Sequence, residues 1–307
     1  MLYLYTPYQR EAWLDALRAA LPDVTVAAWP DPVKVDAVRY LAAWRPPEHF
    51  FAQFPALKAV FTLGAGVDRF VERNDLASHV AIVRLTDAGM VAQMAEYVLY
   101  GVLRFQRDFD LYAAQQHGHH WLQHAPRSAA QTRVTVLGLG EIGGVVATRL
   151  ATLGYVVSGW SRGRRALEGV ACHEGLTALE ALLEQTDILV NLLPSTPRTR
   201  SLLDGPRLSR LPAGAAIIHA GRGDQLDLDA LVLLLDADRL RGAVLDVFPE
   251  EPLPPDHPLW RHPKVLMTPH VAATTLIVPA AQQIADKLAA LHAGGQVAGL
   301  VDREQYY

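Results

Sequence analysis

The 307 residues carry 50% hydrophobic and 20% charged side chains, enough apolar material for a large core and more than one domain. A net charge of −4 excludes a general electrostatic pull toward nucleic acid, and the single cysteine, Cys172, excludes an internal disulfide and suits a reducing cytosol. No apolar run approaches the ~20 residues that span a bilayer, and the N-terminal apolar stretch meets Arg10-Glu11 too soon to be a signal peptide, so a cytoplasmic protein is expected.

Residues 2–6 read as a strand, 9–21 as a helix and 24–29 as a second strand. Segments 37–44 and 57–63 continue the alternation, which predicts an α/β layer with a parallel sheet. Trp44-Arg45-Pro46-Pro47 is a loop, because the prolines deny helix or central-strand geometry to the residues around them. Leu63-Gly64-Ala65-Gly66-Val67-Asp68 is a glycine turn directly after a strand. Its successive backbone N–H groups suit a small anion such as a carboxylate, and an ordinary strand-to-helix turn fits the spacing equally well. From Gln93 to Tyr112, Met94, Tyr97, Val98, Gly101, Val102 and Phe105 recur at helical spacing, a packing face that suits a crossing between domains or a dimer surface. The histidines between His117 and His124 are irregularly spaced and have no acidic or thiol partner within the cluster, so a polar surface linker is expected there and no metal site.

The centre of the chain is Arg133-Val-Thr-Val-Leu-Gly-Leu-Gly-Glu-Ile-Gly143, a strand, a tight turn and the start of a helix. Gly138 permits the turn, Gly140 leaves room for a pyrophosphate to reach the backbone, and Gly143 lets the helix pack close to the strand. The helix start then offers N–H groups and the positive end of its dipole to phosphates. The next strand, 154–160, ends in Ser161-Arg162-Gly163-Arg164-Arg165, where an NAD-specific site would place a carboxylate on the ribose. A hydroxyl and guanidinium groups accept a 2′-phosphate that a carboxylate would repel, so the expected cofactor is NADP(H), with NAD(H) bound more weakly.

Further strands are expected at 187–193, 215–219, 242–247 and 265–268, which with the two around the glycine turn makes six, and helices at 178–184 and 228–235. The first domain then spans residues 1–95, the cofactor domain 96–275, and the tail 276–307, with a helix over 280–292, returns to the first domain. Ligands of open α/β sheets bind beyond the carboxyl ends of the strands. Three such ends carry ionisable groups: His219-Ala-Gly-Arg222-Gly223, Asp246-Val-Phe-Pro-Glu-Glu251, and Thr268-Pro-His270. Each alone also fits a structural role; together they make a catalytic set.

These motifs, with Gly-Ala-Gly-Val-Asp at 64–68, Asn191-Leu-Leu-Pro194, Glu251-Pro-Leu-Pro254 and Pro258-Leu-Trp-Arg-His-Pro263, resemble the D-isomer-specific 2-hydroxyacid dehydrogenase family over nearly the full length. Trp44-Arg-Pro-Pro, Met94-Ala-Glu-Tyr-Val and Trp160-Ser-Arg162 are similar to its glyoxylate/hydroxypyruvate reductase A branch. The resemblance implies two doubly wound parallel-sheet domains, a flavodoxin-like substrate domain and a Rossmann cofactor domain, with a cleft between them, in a homodimer. It implies that Arg222 binds the substrate carboxylate and polarises its keto oxygen, that Glu251 pairs with His270, and that His270 donates the proton. Hydride arrival at C2 creates a developing alkoxide, which needs a cation and a proton within reach. A carboxylate beside an imidazole favours its protonated form, so reduction should weaken as the imidazole deprotonates. The resemblance further implies that Ala65, Gly66 and Val67 hold the carboxylate through backbone amides, that Trp44 walls the pocket, and that Asp246 meets the nicotinamide carboxamide. Glu141, Ile142, Leu193 and Pro194 join Gly138, Gly140, Gly143, Ser161, Arg162 and Arg165 as cofactor-binding positions. His219 is a departure, since many relatives carry Asn or Leu at that strand end. The expected reaction is reduction of glyoxylate or hydroxypyruvate; the alternatives are another 2-oxo acid reductase and a corepressor-like, cofactor-sensing binding protein on the same fold.

Overall fold

The computed structural model of the chain describes residues 1–306. The chain divides into two compact units, Met1–Met90 with Thr274–Tyr307, and Val91–Ala273; the sequence pattern puts the crossings near 95 and 275.

In the first unit, β1 (Leu2–Tyr5), β2 (Val26–Ala28), β3 (Tyr40–Ala43), β4 (Ala59–Thr62) and β5 (Ala81–Val83) form a parallel sheet of order β2-β1-β3-β4-β5. That is the flavodoxin-like order. Strands β3 and β4 are buried at every position, as expected of parallel strands covered on both faces. Helix α1 (Arg10–Ala20) buries Trp13, Leu14 and Leu17, one stripe at helical spacing. Only short 3-10 turns, Val35–Ala37 and Phe51–Gln53, precede β3 and β4, and α2 (Asp68–Val71) is a single turn. The helices implied by regular alternation are therefore largely absent here. Pro46 and Pro47 stand in one of these connections and Pro30 and Pro32 in the other, where they deny helix interiors to the chain. The three-residue β5 at the end of the sheet is too short to stand out in the sequence.

The chain enters the second unit through α3 (Met90–Gln106) and α4 (Phe109–His117). The sequence pattern runs unbroken through Tyr112; in the structure it breaks at Asp108, which adopts a left-handed φ of 58°. Asp108 and Asp110 both pair with Arg241 at 2.6 Å, so an ion pair reached across more than a hundred residues ends the helix. His124 is held by Gln115 at 2.6 Å and its backbone N–H donates to Tyr112.

Strands β6 (Arg133–Leu137), β7 (Val156–Trp160), β8 (Val170–His173), β9 (Ile188–Asn191), β10 (Ala215–His219), β11 (Leu240–Leu245) and β12 (Val265–Met267) form a parallel sheet of order β12-β11-β10-β9-β6-β7-β8. It has seven strands where six were expected. The extra one, β8, is an edge strand buried at no position, so it lacks the apolar signature that marks the others. The strand order reverses at β6, the switch point where dinucleotide folds bind their ligand.

Alternate strand residues feed two separate cores. Val134, Val136, Ile188, Val190, Ala216 and Ile218 pack with Val98, Val102 and Phe105 of α3 and with Val146, Ala147 and Leu150 of α5 (Glu141–Thr152). Leu137, Leu189, Ile217, Ala243 and Leu245 pack on the opposite face with Leu179 and Leu183 of α6 (Leu176–Leu183). The same core takes in Leu208 of α7 (Gly205–Leu208) and Leu231 and Leu235 of α8 (Leu228–Asp236). This period of two is the pleat of a sheet covered on both faces.

The chain then returns to the first unit as α9 (Ile277–His292), which packs on α1; Ala280, Ala281 and Ala285 are among its buried residues and permit a close approach. Among the described residues no helix is long and apolar enough to cross a membrane.

Candidate active site

The turn between β6 and α5 has the geometry that its glycines require. Gly138 has φ +98°, and a Cβ there would lie 2.9 Å from Leu192 O. A Cβ on Gly143 would lie 1.8 Å from Gly138 O, so any side chain would push the helix off the turn. Around Gly140, by contrast, nothing among the described residues lies within 4 Å of the Cβ position. Close packing on one side and open space on the other fit a backbone that receives a pyrophosphate. Glu141 and Ile142 open the first turn of α5, Glu141 exposed and Ile142 half-buried.

At the end of β7, the buried Ser161 donates its hydroxyl to Gly163 O at 2.8 Å, a turn that leaves Arg162, Arg164 and Arg165 exposed. Ser161 therefore shapes the loop as well as offering an oxygen. No carboxylate stands at this strand end. The residues present fit a phosphorylated ribose better than a free diol.

Three further strand ends carry the ionisable groups. Arg222 follows β10 in extended conformation, its guanidinium half-buried and donating from Nη1 to Gly221 O at 2.8 Å. A Cβ on Gly223 would meet the Phe248 carbonyl carbon at 1.9 Å, so only glycine lets the Arg222 turn close on the segment after β11. On that segment Glu251 accepts a hydrogen bond from Phe248 N at 3.2 Å and holds His270 Nδ1 at 2.9 and 3.0 Å through its two oxygens. The Glu251 side chain is 17% exposed and that of His270 31%, so the carboxylate is shielded while the ring keeps an outer face. With Nδ1–H given to Glu251, the ring's Nε2 is the atom left to exchange a proton with a ligand.

His270 sits in the left-handed region at φ +56°, a conformation costly for a side chain of its size. Asp246 holds it there. Its buried carboxylate accepts from Thr268 Oγ1 at 2.6 Å, Val271 N at 2.8 Å and Ala272 N at 2.9 Å, and its carbonyl accepts from His270 N at 2.9 Å. Tyr97 of α3 is bonded to the same Thr268 hydroxyl at 2.7 Å, and burial pushes the phenol well above its ordinary range, so it stays protonated. The resemblance implies that Asp246 meets the nicotinamide carboxamide; in the structure its carboxylate also takes three hydrogen bonds from the turn that carries His270.

Leu193 is buried and Pro194 exposed, both in the loop after β9. Their carbonyls accept from Gln225 Nε2 at 3.1 and 2.8 Å. Gln225, fully buried, carries no signal in the sequence, where it stands beside Asp224 as one more polar residue of a turn.

In the first unit, Trp44 lies on the glycine turn after β4: a Cβ on Gly64 would be 2.6 Å from Trp44 Cζ3. Ala65 and Gly66 are half-buried and Val67 buried, and Thr62 Oγ1 donates to Gly64 O at 2.6 Å. Trp44 and the Gly64–Val67 turn are thus neighbours within one unit.

Fold and site together define a dinucleotide-dependent oxidoreductase. Residues 99–272 match the D-isomer specific 2-hydroxyacid dehydrogenase NAD binding domain. The chain is similar to a D-isomer specific 2-hydroxyacid dehydrogenase from Xanthobacter autotrophicus Py2 in complex with NADPH and MES, at 42% identity and TM-score 0.95, covering 100% of this chain and 99% of that one. A Klebsiella pneumoniae 342 family member matches at 39% identity and TM-score 0.91, over 99% of this chain and 97% of that one. An NADPH-dependent glyoxylate/hydroxypyruvate reductase from Sinorhizobium meliloti, in complex with NADP and sulfate, matches at 32% identity and TM-score 0.94, over 100% and 99%. The chain belongs to the D-isomer specific 2-hydroxyacid dehydrogenase family.

Proposed function

We propose that the protein reduces small 2-oxo acids, glyoxylate and hydroxypyruvate foremost, with NADPH as the preferred reductant. The observation that carries the reading is the Glu251–His270 pair, held on a turn that Asp246 fixes, in the same unit as a half-buried Arg222 at the end of β10. The likeness to the Sinorhizobium meliloti reductase supports the substrates, and the arginine-bearing end of β7 supports the phosphorylated cofactor.

Arg222 pairs with the substrate carboxylate and, through its fork of N–H donors, polarises the keto oxygen. The amides of Ala65, Gly66 and Val67 are the second carboxylate holder in this reading, with Trp44 limiting the acid to a small side chain. NADPH, when bound along the Gly138–Gly143 turn, supplies the hydride. As negative charge builds on the oxygen, His270 Nε2 gives it a proton, and Glu251 keeps the ring oriented and offsets the charge that it carried. One hydride and one proton convert the 2-oxo acid to the 2-hydroxy acid.

Initial rates of NADPH and NADH oxidation with glyoxylate, hydroxypyruvate and pyruvate test the proposal, with wild type beside Arg162→Asp. Fast NADPH-linked turnover of the first two is expected. The variant should lose most of its NADPH preference, on the order of tenfold or more, because a carboxylate replaces a charge-assisted donor. Tight NADPH binding without turnover of any 2-oxo acid would remove the catalytic reading.

A further inference from the structure

His219 ends β10 directly beside Asn191, which ends β9, in the parallel register of the two strands. Both are fully buried, and so is Gln225. Asn191 Nδ2 donates both its hydrogens, one to His219 Nδ1 at 3.1 Å and one to Gln225 Oε1 at 2.9 Å, while its Oδ1 accepts from Leu193 N at 3.2 Å. Gln225 Oε1 accepts a second bond from Arg222 N at 3.0 Å. Its Nε2 spends both hydrogens on Leu193 O and Pro194 O.

These bonds allow one assignment only. Gln225 must present oxygen to Arg222 N, because its nitrogen faces two carbonyls. Asn191 must then present nitrogen to Gln225, and its other hydrogen needs an acceptor at 219. A neutral imidazole protonated on Nε2 supplies one. The Nε2 itself, next to the Arg222 main chain, makes no hydrogen bond of good geometry among the described residues. The one hydrogen bond of good geometry that the ring makes is therefore the one its Nδ1 accepts from Asn191.

We propose that His219, Asn191 and Gln225 are positioning residues for Arg222: a closed buried network that fixes the Arg222 main chain and ties its turn to the Leu193-Pro194 loop. The inference rests on the reading of Arg222 as the substrate-binding cation. In a low-dielectric interior the network is stiff, since losing one member leaves its neighbours with unpaired polar atoms. A guanidinium on a fixed main chain meets a carboxylate with less freedom to lose.

The test compares His219→Leu with His219→Asn. In asparagine, Oδ1 stands on Cγ where Nδ1 stands in histidine, so Asn191 keeps its acceptor; leucine places a methyl group there. His219→Leu is expected to raise the KM for glyoxylate about tenfold, and His219→Asn to restore the wild-type KM. Gln225→Met is a second route, removing the acceptor of Arg222 N, and should raise the glyoxylate KM as well. Wild-type KM in both His219→Leu and Gln225→Met, whatever their melting temperatures, would overturn the proposal, and so would His219→Asn as impaired as His219→Leu. Arg222→Met is measured alongside. An unmoved KM there would remove the reading of Arg222 itself, whereas a raised KM there with unmoved network variants would remove the network alone.

Discussion

Arg222→Met is expected to lower kcat/KM for a 2-oxo acid by about a thousandfold, with NADPH affinity intact. The side chain is half-buried, so its charge acts in a medium less screening than water, and it serves twice in the proposed reaction: once on the carboxylate, once on the oxygen that gains charge. Methionine keeps much of the stem's volume and removes every donor. Arg222→Lys separates the two contributions. A lysine keeps the charge but not the planar fork, so it should recover part of the binding and little of the geometry. Steady-state kinetics with a fluorescence titration of NADPH read both; wild-type kcat/KM in the methionine variant would place the substrate carboxylate elsewhere.

His270→Gln is the second large effect, a loss of about a hundredfold to ten-thousandfold in kcat, the range of general acid catalysis by a positioned side chain. Glutamine retains a polar group facing Glu251 but has no proton to give from the outer side of the ring. The substrate KM should move little, because binding is assigned to Arg222 and not to the acid. Glu251→Gln probes orientation separately. It keeps oxygen for Phe248 N and for the ring while losing the second carboxylate oxygen that completes the grip at 2.9 and 3.0 Å, and a smaller fall in kcat is expected. Full activity in His270→Gln would mean that the proton comes from another donor, and the pairing with Glu251 would be structural.

Residues whose chemistry is local are legible in the sequence. Gly138, Gly140 and Gly143 stand within one turn, and the turn's steric demands, from φ +98° to a Cβ position 1.8 Å from a carbonyl, are those that their spacing implies. The strand-end placement of Arg222, Glu251 and His270 is equally readable, because each comes after a short apolar run. The features hidden from the sequence depend on pairing across the sheet. Asn191 and His219 become neighbours only through the β9–β10 register, and Gln225 looks like a surface residue until the Arg222 turn folds over it. Asp246 has a task in the fold that the sequence does not show, since its donors include main-chain atoms of residues 271 and 272. The break at Asp108 and the edge strand β8 are hidden for related reasons, one set by a distant arginine and the other by the absence of burial.

The buried imidazole at 219 also ties folding to acidity. Burial pushes it down to about 4; the Arg222 backbone beside it works the other way, and the Arg222 cation adds to the fall. In the unfolded chain the same ring titrates near 6.5. Between those limits the unfolded state takes up a proton that the folded state refuses, so stability is full above about pH 6.5 and declines as the pH falls toward 4. The loss amounts to about 3 kcal/mol once the window is crossed. His219→Asn, with nothing to protonate, should denature in urea with a flatter dependence on pH between about 7 and 4.5 than the wild type, and parallel curves for the two proteins would show that the ring does not govern the acid limb.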